Sequence, residues 1–453
     1  MKNDQRMQVM PSIYYGIILA FAIIMTFALG GSSRSDVAAL ILLRPAGILL
    51  LFLIISQLNK QDIVRNQSIY ALAIYILVLP IIQLIPLPSE LWWSLPGREI
   101  TRAALDTIGL SAAPQPISMV PSATQNAFYF MFMPIAIMIA SVKAGQDFIL
   151  TTMQLLVLII FSSIILSAYQ YASGHGRIYP INSPVSGLFA NRNHHAVFVS
   201  LLPILVWSII KSMPKIYRNS NILGFVIISS ILIMMVSIVI SGSRMGLFCA
   251  LISSLFVIYQ LLVDYRQKEF FVDRKFIIFM AAVVTAIFGT LTFFAASKKG
   301  TALFRLLNAN EDSRLDVWRL TFAKSLEYFP FGSGLGTYPA VFQIYEDNGS
   351  LRPTYSNHAH NDWVELLLTT GLLGLVAAVA FVTWVVRVCV KMQSAPSPAR
   401  VPAKAGCMTL VIFAVASLVD YPLRTPALAA VLAIAVAWMN AATANKNFEA
   451  RRQ

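Results

Sequence analysis

The sequence predicts an all-α, polytopic membrane protein that forms a single integral domain over residues 1–453. Of its 453 residues, 57% are hydrophobic and 12% are charged, whereas soluble domains average roughly 45–50% apolar and about 25% charged residues. Apolar runs of about 17–25 residues, each long enough to cross ~30 Å of hydrocarbon as a helix, recur along the chain. We predict about twelve spans, at residues 12–30, 37–57, 68–88, 123–142, 148–172, 195–211, 222–241, 245–263, 276–297, 363–386, 405–419 and 427–443.

The distribution of basic residues predicts that both termini lie in the cytoplasm. The first apolar run follows a short charged flank and lacks a small-x-small cleavage site, so we interpret it as an uncleaved helix. If residue 1 is cytoplasmic, Lys and Arg are more than twofold denser on the inner segments than on the outer ones, as the positive-inside rule requires. The even number of spans then returns the C-terminal tail to the cytoplasm.

The net charge of +14 is explained by this topology, and we do not expect nucleic acid as a partner. The lipid bilayer and the phosphate of a lipid carrier are better partners for these cations. Cys249, Cys389 and Cys407 fall within or at the ends of apolar spans, where a thiol behaves as a small hydrophobe. The cysteine spacing therefore predicts neither a disulfide framework nor a zinc site.

One long polar stretch between the ninth and tenth predicted spans, residues 298–362, is the candidate active-site loop. It contains the turn-rich segment Pro330–Gly336 and ends on Asn357–Asp362, directly before an apolar span. Ionisable groups are costly to hold at the mouth of a span, so such a cluster indicates a functional site. All five histidines of the chain fall on outer segments in this topology, which favours chemistry on the outer face.

Two further outer segments present an arginine beside a helix. Arg192 is flanked by amides and followed by His194 and His195, so this stretch either binds an anion at a helix N-terminus or caps the helix. Arg244 lies at the tip of a Ser-Gly-Ser-Arg turn between the seventh and eighth spans. Its planar fork of donors suits a diphosphate, and snorkelling to lipid head groups is the alternative.

The residues that follow the loop have a specific spacing. His360 and Asn361, then nine residues, Gly371, two residues and Gly374 reproduce the pattern His-(Asn/Ser/Gln)-x9-Gly-x2-(Gly/Thr/Tyr). In this pattern the chain resembles the O-antigen ligase and O-antigen polymerase superfamily. We interpret the two glycines as positions of close helix packing.

Other segments support the resemblance in the order expected along the chain. They are the 187–194 stretch, the turn that ends at Arg244, Ser313-Arg314 with Trp318, and the Pro-x-Gly-x-Gly-x-Gly turn that begins at Pro330. Together they define a ligase-like catalytic region over residues 185–380.

The resemblance implies a membrane glycosyltransferase with a GT-C-like helical fold, located in the bacterial inner membrane with its active site facing the periplasm. The donor would be a glycan on undecaprenyl diphosphate. The acceptor would be a hydroxyl of another glycan, of lipid A-core or of a protein. Members of such a family use neither a nucleotide sugar nor a metal or other cofactor.

The chemistry of the candidate residues agrees with such a transfer. Displacing a diphosphate from a sugar C1 develops negative charge on the leaving oxygens, and preorganised donors there are usually the largest catalytic contribution. Arg244 and Arg314 are the candidates for this clamp, with Arg192 as a third. His360 is the candidate general base for the attacking hydroxyl, and a single displacement would invert the configuration at C1. The other candidate substrate contacts are His194, Asn361, Trp318 and Arg424.

Charged residues near these candidates leave alternatives open. Arg424 lies in a Pro-bounded turn between the last two spans, where it either binds acceptor or diphosphate or belongs to a simple polar hairpin. Asp362 and Glu365 begin the tenth span three residues apart. They either orient the imidazole of His360 or favour the helix N-terminus electrostatically.

Two other functions fit parts of the pattern. His358-x-His360-x-Asp362 looks like the start of a zinc hydrolase motif, but Trp363 stands where that motif has its last His, and the soluble α/β layers of such enzymes are not predicted here. A flippase or other transporter of lipid-linked oligosaccharides would also suit twelve spans and buried arginines. Against it, the two halves show no inverted repeat, and the ionisable groups gather at one face of the membrane.

Overall fold

The computed structural model describes residues 2–179, 185–214, 221–267, 314–346 and 355–444, together with the single positions 278, 282, 285 and 289. The α-helices of these residues are α1 (Lys2–Leu29), α2 (Leu40–Ile55), α3 (Lys60–Arg65), α4 (Gln67–Leu84), α5 (Ser89–Trp93), α6 (Glu99–Thr107), α7 (Pro121–Ala144), α8 (Ile149–Ser173), α9 (Arg192–Val199), α10 (Leu202–Ser212), α11 (Asn221–Ser241), α12 (Arg244–Arg266), α13 (Arg314–Glu327), α14 (Tyr338–Tyr345), α15 (Asp362–Met392), α16 (Ser397–Ala416) and α17 (Pro426–Ala444). Short 3-10 helices cover Gln146–Phe148 and Pro422–Arg424. The described strands, β1 (Pro86–Leu87) and β2 (Gln115–Pro116), pair antiparallel.

Helices cover every predicted span that falls within the described ranges. In those ranges nine helical segments are long and apolar enough to cross a membrane, and two shorter apolar helices, Ile13–Leu29 and Leu40–Ile55, correspond to the first two predicted spans. The sixth span consists of α9 and α10 in succession. The ninth predicted span, 276–297, lies outside the described residues except for the single positions, and so does the first part of the 298–362 loop. The chain is thus a mostly helical, multi-pass membrane protein.

The helices differ strongly in how deeply they are enclosed. In the apolar windows of Arg192–Ser212 and Pro426–Thr443, 83% and 78% of residues are buried, against 11% in that of α15. The C-terminal helix α17 is rich in alanine and packs against α16, α7, α1 and α15, because small side chains let neighbouring backbones approach closely. Most of α15 therefore faces the surroundings of the bundle, and α17 lies at its centre.

The segment between α4 and α7 folds over the end of the bundle and is held by one buried arginine. Arg98 is only 2% exposed. Its Nη2 donates to the carbonyl of Ile117 at 2.7 Å and to that of Gly332 at 3.0 Å, and its guanidinium lies 5.2 Å from the centroid of the Tyr328 ring. Burial lowers the pKa of Arg98 to about 10. The side chain thus ties this segment to the Pro330–Gly336 turn.

Helix α15 is broken at Gly371, and the Pro330–Gly336 turn fills the break. Gly371 has φ 54° and ψ −134° inside the helix. The carbonyls freed by the break, those of Leu368 and Thr369, accept hydrogen bonds from the backbone N–H groups of Ser333 and Gly334, both at 2.9 Å. Broken membrane helices persist only where other groups satisfy the freed backbone, so the turn stabilises the discontinuity. The predicted close packing at Gly371 is therefore against a loop, in a break of the helix.

A buried glutamine on α4 completes this arrangement. Gln83 donates from Nε2 to the carbonyl of Thr369 at 2.9 Å, and its Oε1 accepts from the backbone N–H of Leu335 at 2.9 Å. The side chain is almost fully buried. One amide therefore bridges the broken helix and the turn, and both are held against α4.

We expect Gly371→Ala to destabilise the protein. A Cβ at this position would collide with the carbonyl oxygen of Pro330, and the positive φ is itself unfavourable for alanine. Overpacking of this kind typically costs about 1–3 kcal/mol, which corresponds to a melting temperature lowered by roughly 5 °C. Gly109→Ala is the matched control, because Gly109 also has a positive φ of 72° but meets nothing within 4 Å. Equal melting temperatures for the two variants in thermal unfolding would contradict the packing described here.

Candidate active site

The site is built around Asp420, in the turn between α16 and α17. Its side chain is 1% exposed. It accepts hydrogen bonds from Asn193 Nδ2 at 2.7 Å and Asn191 Nδ2 at 3.4 Å, and from the backbone N–H of Tyr421 at 3.0 Å. His360 Nδ1 lies 3.3 Å from Oδ1 of the same carboxylate. A buried carboxylate thus links α9, the turn before α17 and the end of the 298–362 loop.

His360 is held in an unusual backbone conformation at this point. Its φ is 52°, in the left-handed region that non-glycine residues seldom adopt and that often marks functional positions. The indole N–H of Trp318 donates to the carbonyl of His360 at 3.2 Å. Asn361 caps α15, its Oδ1 accepting from the N–H groups of Trp363 and Val364. The ring keeps 32% of its side-chain surface exposed, so a substrate can reach it.

The three arginines predicted for the site lie on elements that meet at Asp420. Arg314 opens α13, and its Nη1 donates to the carbonyl of Val419 at 3.1 Å. Arg244 opens α12 directly after Ser243. Arg192 opens α9. The structure therefore brings together the beginnings of α9 and α12 and the Arg314 end of the described part of α13, from distant parts of the sequence.

Hydrogen bonds connect the start of α12 to the buried carboxylate. The hydroxyl of Ser243 accepts from the backbone N–H of Gly246 as an N-terminal cap, and it donates to Asn193 Oδ1 at 2.8 Å. Asn193 in turn donates to Asp420. The Ser-Gly-Ser-Arg turn is thus fixed relative to the carboxylate through one asparagine side chain.

Asp420 is ionised in this environment. Burial favours the neutral acid, but the hydrogen bond with His360 and the electrostatic influence of the neighbouring histidines and Arg314 outweigh it and hold the pKa of Asp420 well below its usual range. An ionised carboxylate only accepts hydrogen bonds, so it favours the proton of His360 on Nδ1. Nε2 of His360 is then left for a substrate.

The ring of Tyr421 lies among three histidines. Its centroid is 5.1 Å from that of His194, 4.4 Å from that of His358 and 4.8 Å from that of His360. His194 is only 1% exposed, and its Nδ1 lies 2.8 Å from the Thr425 hydroxyl. A side chain this buried is not accessible to a substrate, so the substrate contact predicted for His194 does not fit the structure. His194 packs against Tyr421 instead.

A second polar cluster contacts Tyr421 through His358. His358 Nδ1 is 3.0 Å from Glu365 Oε1. Arg424 approaches both Asp362 Oδ1 at 3.2 Å and Glu365 Oε1 at 3.5 Å. Although burial opposes its charge, the two carboxylates raise the pKa of Arg424 above its ordinary value. The cluster joins α15 to the turn before α17.

These contacts correct two expectations about the charged residues. Glu365 orients His358, and Asp362 pairs with Arg424, so neither carboxylate orients His360. Asp420 takes that role, although it lies 60 residues further along the chain. Arg424 is already shared between two carboxylates, which leaves it poorly suited to a diphosphate.

A cavity of about 860 Å³ borders the second cluster and extends between the helices. His358, Asp362, Glu365 and Arg424 line its polar end. Residues of α15 from Asp362 to Val385 line its length, which amounts to roughly 35 Å of helix. The rest of the wall is mainly apolar and includes Phe130, Met131, Phe381, Leu432 and Val436. The cavity thus combines a polar end with a mainly apolar wall along α15.

The described residues contain no group of three or more His, Cys, Asp or Glu side chains arranged to hold a metal ion. In the His358-x-His360-x-Asp362 segment the three side chains face different partners, namely Glu365, Asp420 and Arg424. The segment therefore does not converge on one point, as zinc ligands must.

Comparison with known proteins agrees with the motif and the fold. A search of curated proteins gave no match. A family model described as O-antigen ligase matches residues 229–379, a range that contains Arg244, Arg314 and His360. This match supports the resemblance of the chain to the O-antigen ligase and O-antigen polymerase superfamily.

Proposed function

We propose that the protein transfers a glycan from undecaprenyl diphosphate to an acceptor hydroxyl at the periplasmic face of the bacterial inner membrane, with both termini in the cytoplasm. It would serve as an O-antigen or exopolysaccharide polymerase or as an O-antigen ligase. The observation that carries this proposal is that the helices bearing Arg192, Arg244 and Arg314 connect to the His360–Asp420 pair, through Asn193 and Ser243 and through the bond from Arg314 to the carbonyl of Val419. In this proposal the cations for a leaving diphosphate and the base for an attacking hydroxyl belong to one site.

The arginines supply the leaving-group side of the reaction. As the bond between C1 and the diphosphate breaks, negative charge builds on oxygens that paired guanidinium donors can meet. Arg244 and Arg314 form the clamp in this proposal, and Arg192 adds a third cation. The position of Arg192 and Arg244 at helix N-termini helps, because the backbone N–H groups there also favour an anion.

His360 and Asp420 supply the acceptor side. Asp420 holds the Nδ1 proton of the ring, so that Nε2 takes the proton of the attacking hydroxyl, and the imidazolium that forms is stabilised by the same carboxylate. One displacement with this base inverts the configuration at C1. Trp318 and Asn361 position His360 through the backbone, which gives the two residues supporting roles.

The cavity along α15 suits the lipid anchor of the acceptor. Its apolar wall matches an isoprenoid chain, and its polar end lies next to the site. Arg44, near the start of α2, borders the same cavity, and its Nε is buried without a hydrogen-bond partner among the described residues. An arginine within a span is costly and generally functional, and a lipid phosphate is a fitting partner for it.

Reconstitution tests the proposed function. Purified protein in liposomes, supplied with the undecaprenyl diphosphate-linked glycan extracted from a strain that lacks the gene, should extend or transfer the glycan in the presence of EDTA. The products are measured by gel electrophoresis and mass spectrometry. Loss of transfer in EDTA that added magnesium or zinc restores would contradict the metal-independent mechanism, and a donor that stays intact throughout would contradict the transferase.

A further inference from the structure

His358 and Glu365 form a second histidine–carboxylate pair. It could bind a substrate, but the mechanism described above does not use it. His358 Nδ1 lies 3.0 and 3.3 Å from the two oxygens of Glu365, whose side chain is 1% exposed. The backbone N–H of Ala359 donates to Glu365 Oε2 at 3.0 Å and fixes the carboxylate. An ionised carboxylate here favours a proton on Nδ1 of His358, which leaves Nε2 for a ligand.

The Nε2 atom of His358 has no partner in the described part of the chain. Nε2 is buried and makes no hydrogen bond there, although buried polar atoms in proteins nearly always find one. The residue lines the polar end of the cavity. A group that enters the cavity and hydrogen-bonds to this nitrogen would satisfy it, and a hydroxyl can do so as either donor or acceptor.

The charges around His358 point the same way. One guanidinium, that of Arg424, balances two carboxylates, those of Asp362 and Glu365. The cluster thus has more carboxylates than guanidiniums. The helices that carry Arg192, Arg244 and Arg314 lie around Asp420 instead. A diphosphate therefore fits the Asp420 cluster better, and a neutral sugar fits beside His358.

The geometry of a single displacement requires such a division. The acceptor hydroxyl must approach C1 from the face opposite to the leaving diphosphate, so the two substrates need separate places on either side of the reacting carbon. His358 and His360 contact the same Tyr421 ring at 4.4 and 4.8 Å, which keeps a group bound at one histidine within reach of the other.

We propose that His358, held by Glu365, binds a hydroxyl of the acceptor sugar at the polar end of the cavity. The assignment rests on the proposed glycan transfer and gives its acceptor a subsite that is distinct from the diphosphate site. His358 is a binding residue in this account, and His360 remains the base.

Two probes separate the subsites in a binding experiment. The first is the repeat-unit oligosaccharide released from its carrier by mild acid, which has hydroxyls but no diphosphate. The second is undecaprenyl diphosphate, which has no sugar. Binding of each to purified protein is measured by saturation-transfer NMR for the oligosaccharide and by native mass spectrometry for the lipid. We expect His358→Ala to weaken oligosaccharide binding about tenfold, as the loss of one buried hydrogen bond predicts, and to leave undecaprenyl diphosphate binding unchanged.

Matched variants make the result specific. His358→Gln places an amide oxygen near the position of Nε2 and should retain oligosaccharide binding within about threefold. His175→Ala, which removes an exposed histidine from an outer loop, should bind both probes like the wild type. The inference is overturned if the wild type does not bind the oligosaccharide, if His358→Ala binds it normally, or if His358→Ala loses the lipid equally. If the proposed function itself were wrong, the wild type would neither bind undecaprenyl diphosphate nor transfer the glycan.

Discussion

Arg244→Ala and Arg314→Ala should each abolish detectable glycan transfer while the protein stays inserted and folded. Both residues lead helices that meet at Asp420, and in our proposal they hold the oxygens of the leaving diphosphate. Removing one preorganised donor from such a site typically costs about 10²–10³-fold in rate. Arg244→Lys should recover little, because an ammonium keeps the charge but cannot present two parallel N–H donors to paired oxygens.

Each of these helices offers its own control. Arg266 lies in the last turn of α12 and is exposed, and Arg319 lies on α13 with 81% of its side chain exposed. Arg266→Ala and Arg319→Ala should transfer glycan at close to the wild-type rate in the reconstituted assay. If Arg244→Lys restored full transfer, the charge alone would suffice and the forked contact would be disproved.

His360→Ala should lower the transfer rate by about 10²-fold or more, since a general base within reach of the hydroxyl contributes ~10²–10⁴-fold. Asp420→Asn should also slow transfer, because an amide cannot stabilise the imidazolium and can favour the wrong tautomer of His360. Both substitutions should lower kcat, the rate constant at saturating substrate. Rates are measured with the purified lipid-linked glycan at matched protein levels.

A variant of a histidine outside the site is the control for His360→Ala. His175→Ala should retain the wild-type rate, since the residue is exposed and distant from Asp420 in the chain. Transfer by His360→Ala at a tenth of the wild-type rate or faster would show that His360 is not the general base. Catalysis would then rest on the arginine clamp and on substrate positioning.

Hydropathy predicted the helices well, because each run had to satisfy its own backbone in an apolar medium. It did not predict the break in α15. The run that begins at Trp363 is apolar through Gly371, and only long-range partners, the Pro330–Gly336 turn and Gln83, make a break there favourable. Such partners carry no local signal in a hydropathy profile. The glycine itself was recognised, but its conformation depends on contacts with residues about 40 positions earlier and on α4.

The site was predicted in part, for a similar reason. The spacing after His360 and the Ser-Gly-Ser-Arg turn are local patterns, so His360 and Arg244 could be chosen from the sequence. Asp420 could not be paired with His360, because the two meet only after α15 and α16 have folded back. The local signal available for Asp420 was its position directly after the apolar run 405–419. The pairing of His358 with Glu365 was not among the two roles that the sequence analysis left open for Glu365.

Affinity for undecaprenyl diphosphate tests the central claim, that arginines hold the donor while His360 acts on the acceptor. Equilibrium binding to purified wild type, Arg244→Ala, Arg314→Ala and His360→Ala should separate the variants into two classes. We predict that each arginine variant binds the lipid about tenfold more weakly or worse, since a charge-assisted contact is lost, and that His360→Ala binds it within about twofold of the wild type. If His360→Ala lost as much affinity as the arginine variants, or if the arginine variants bound like the wild type, the division of the site described here would be wrong.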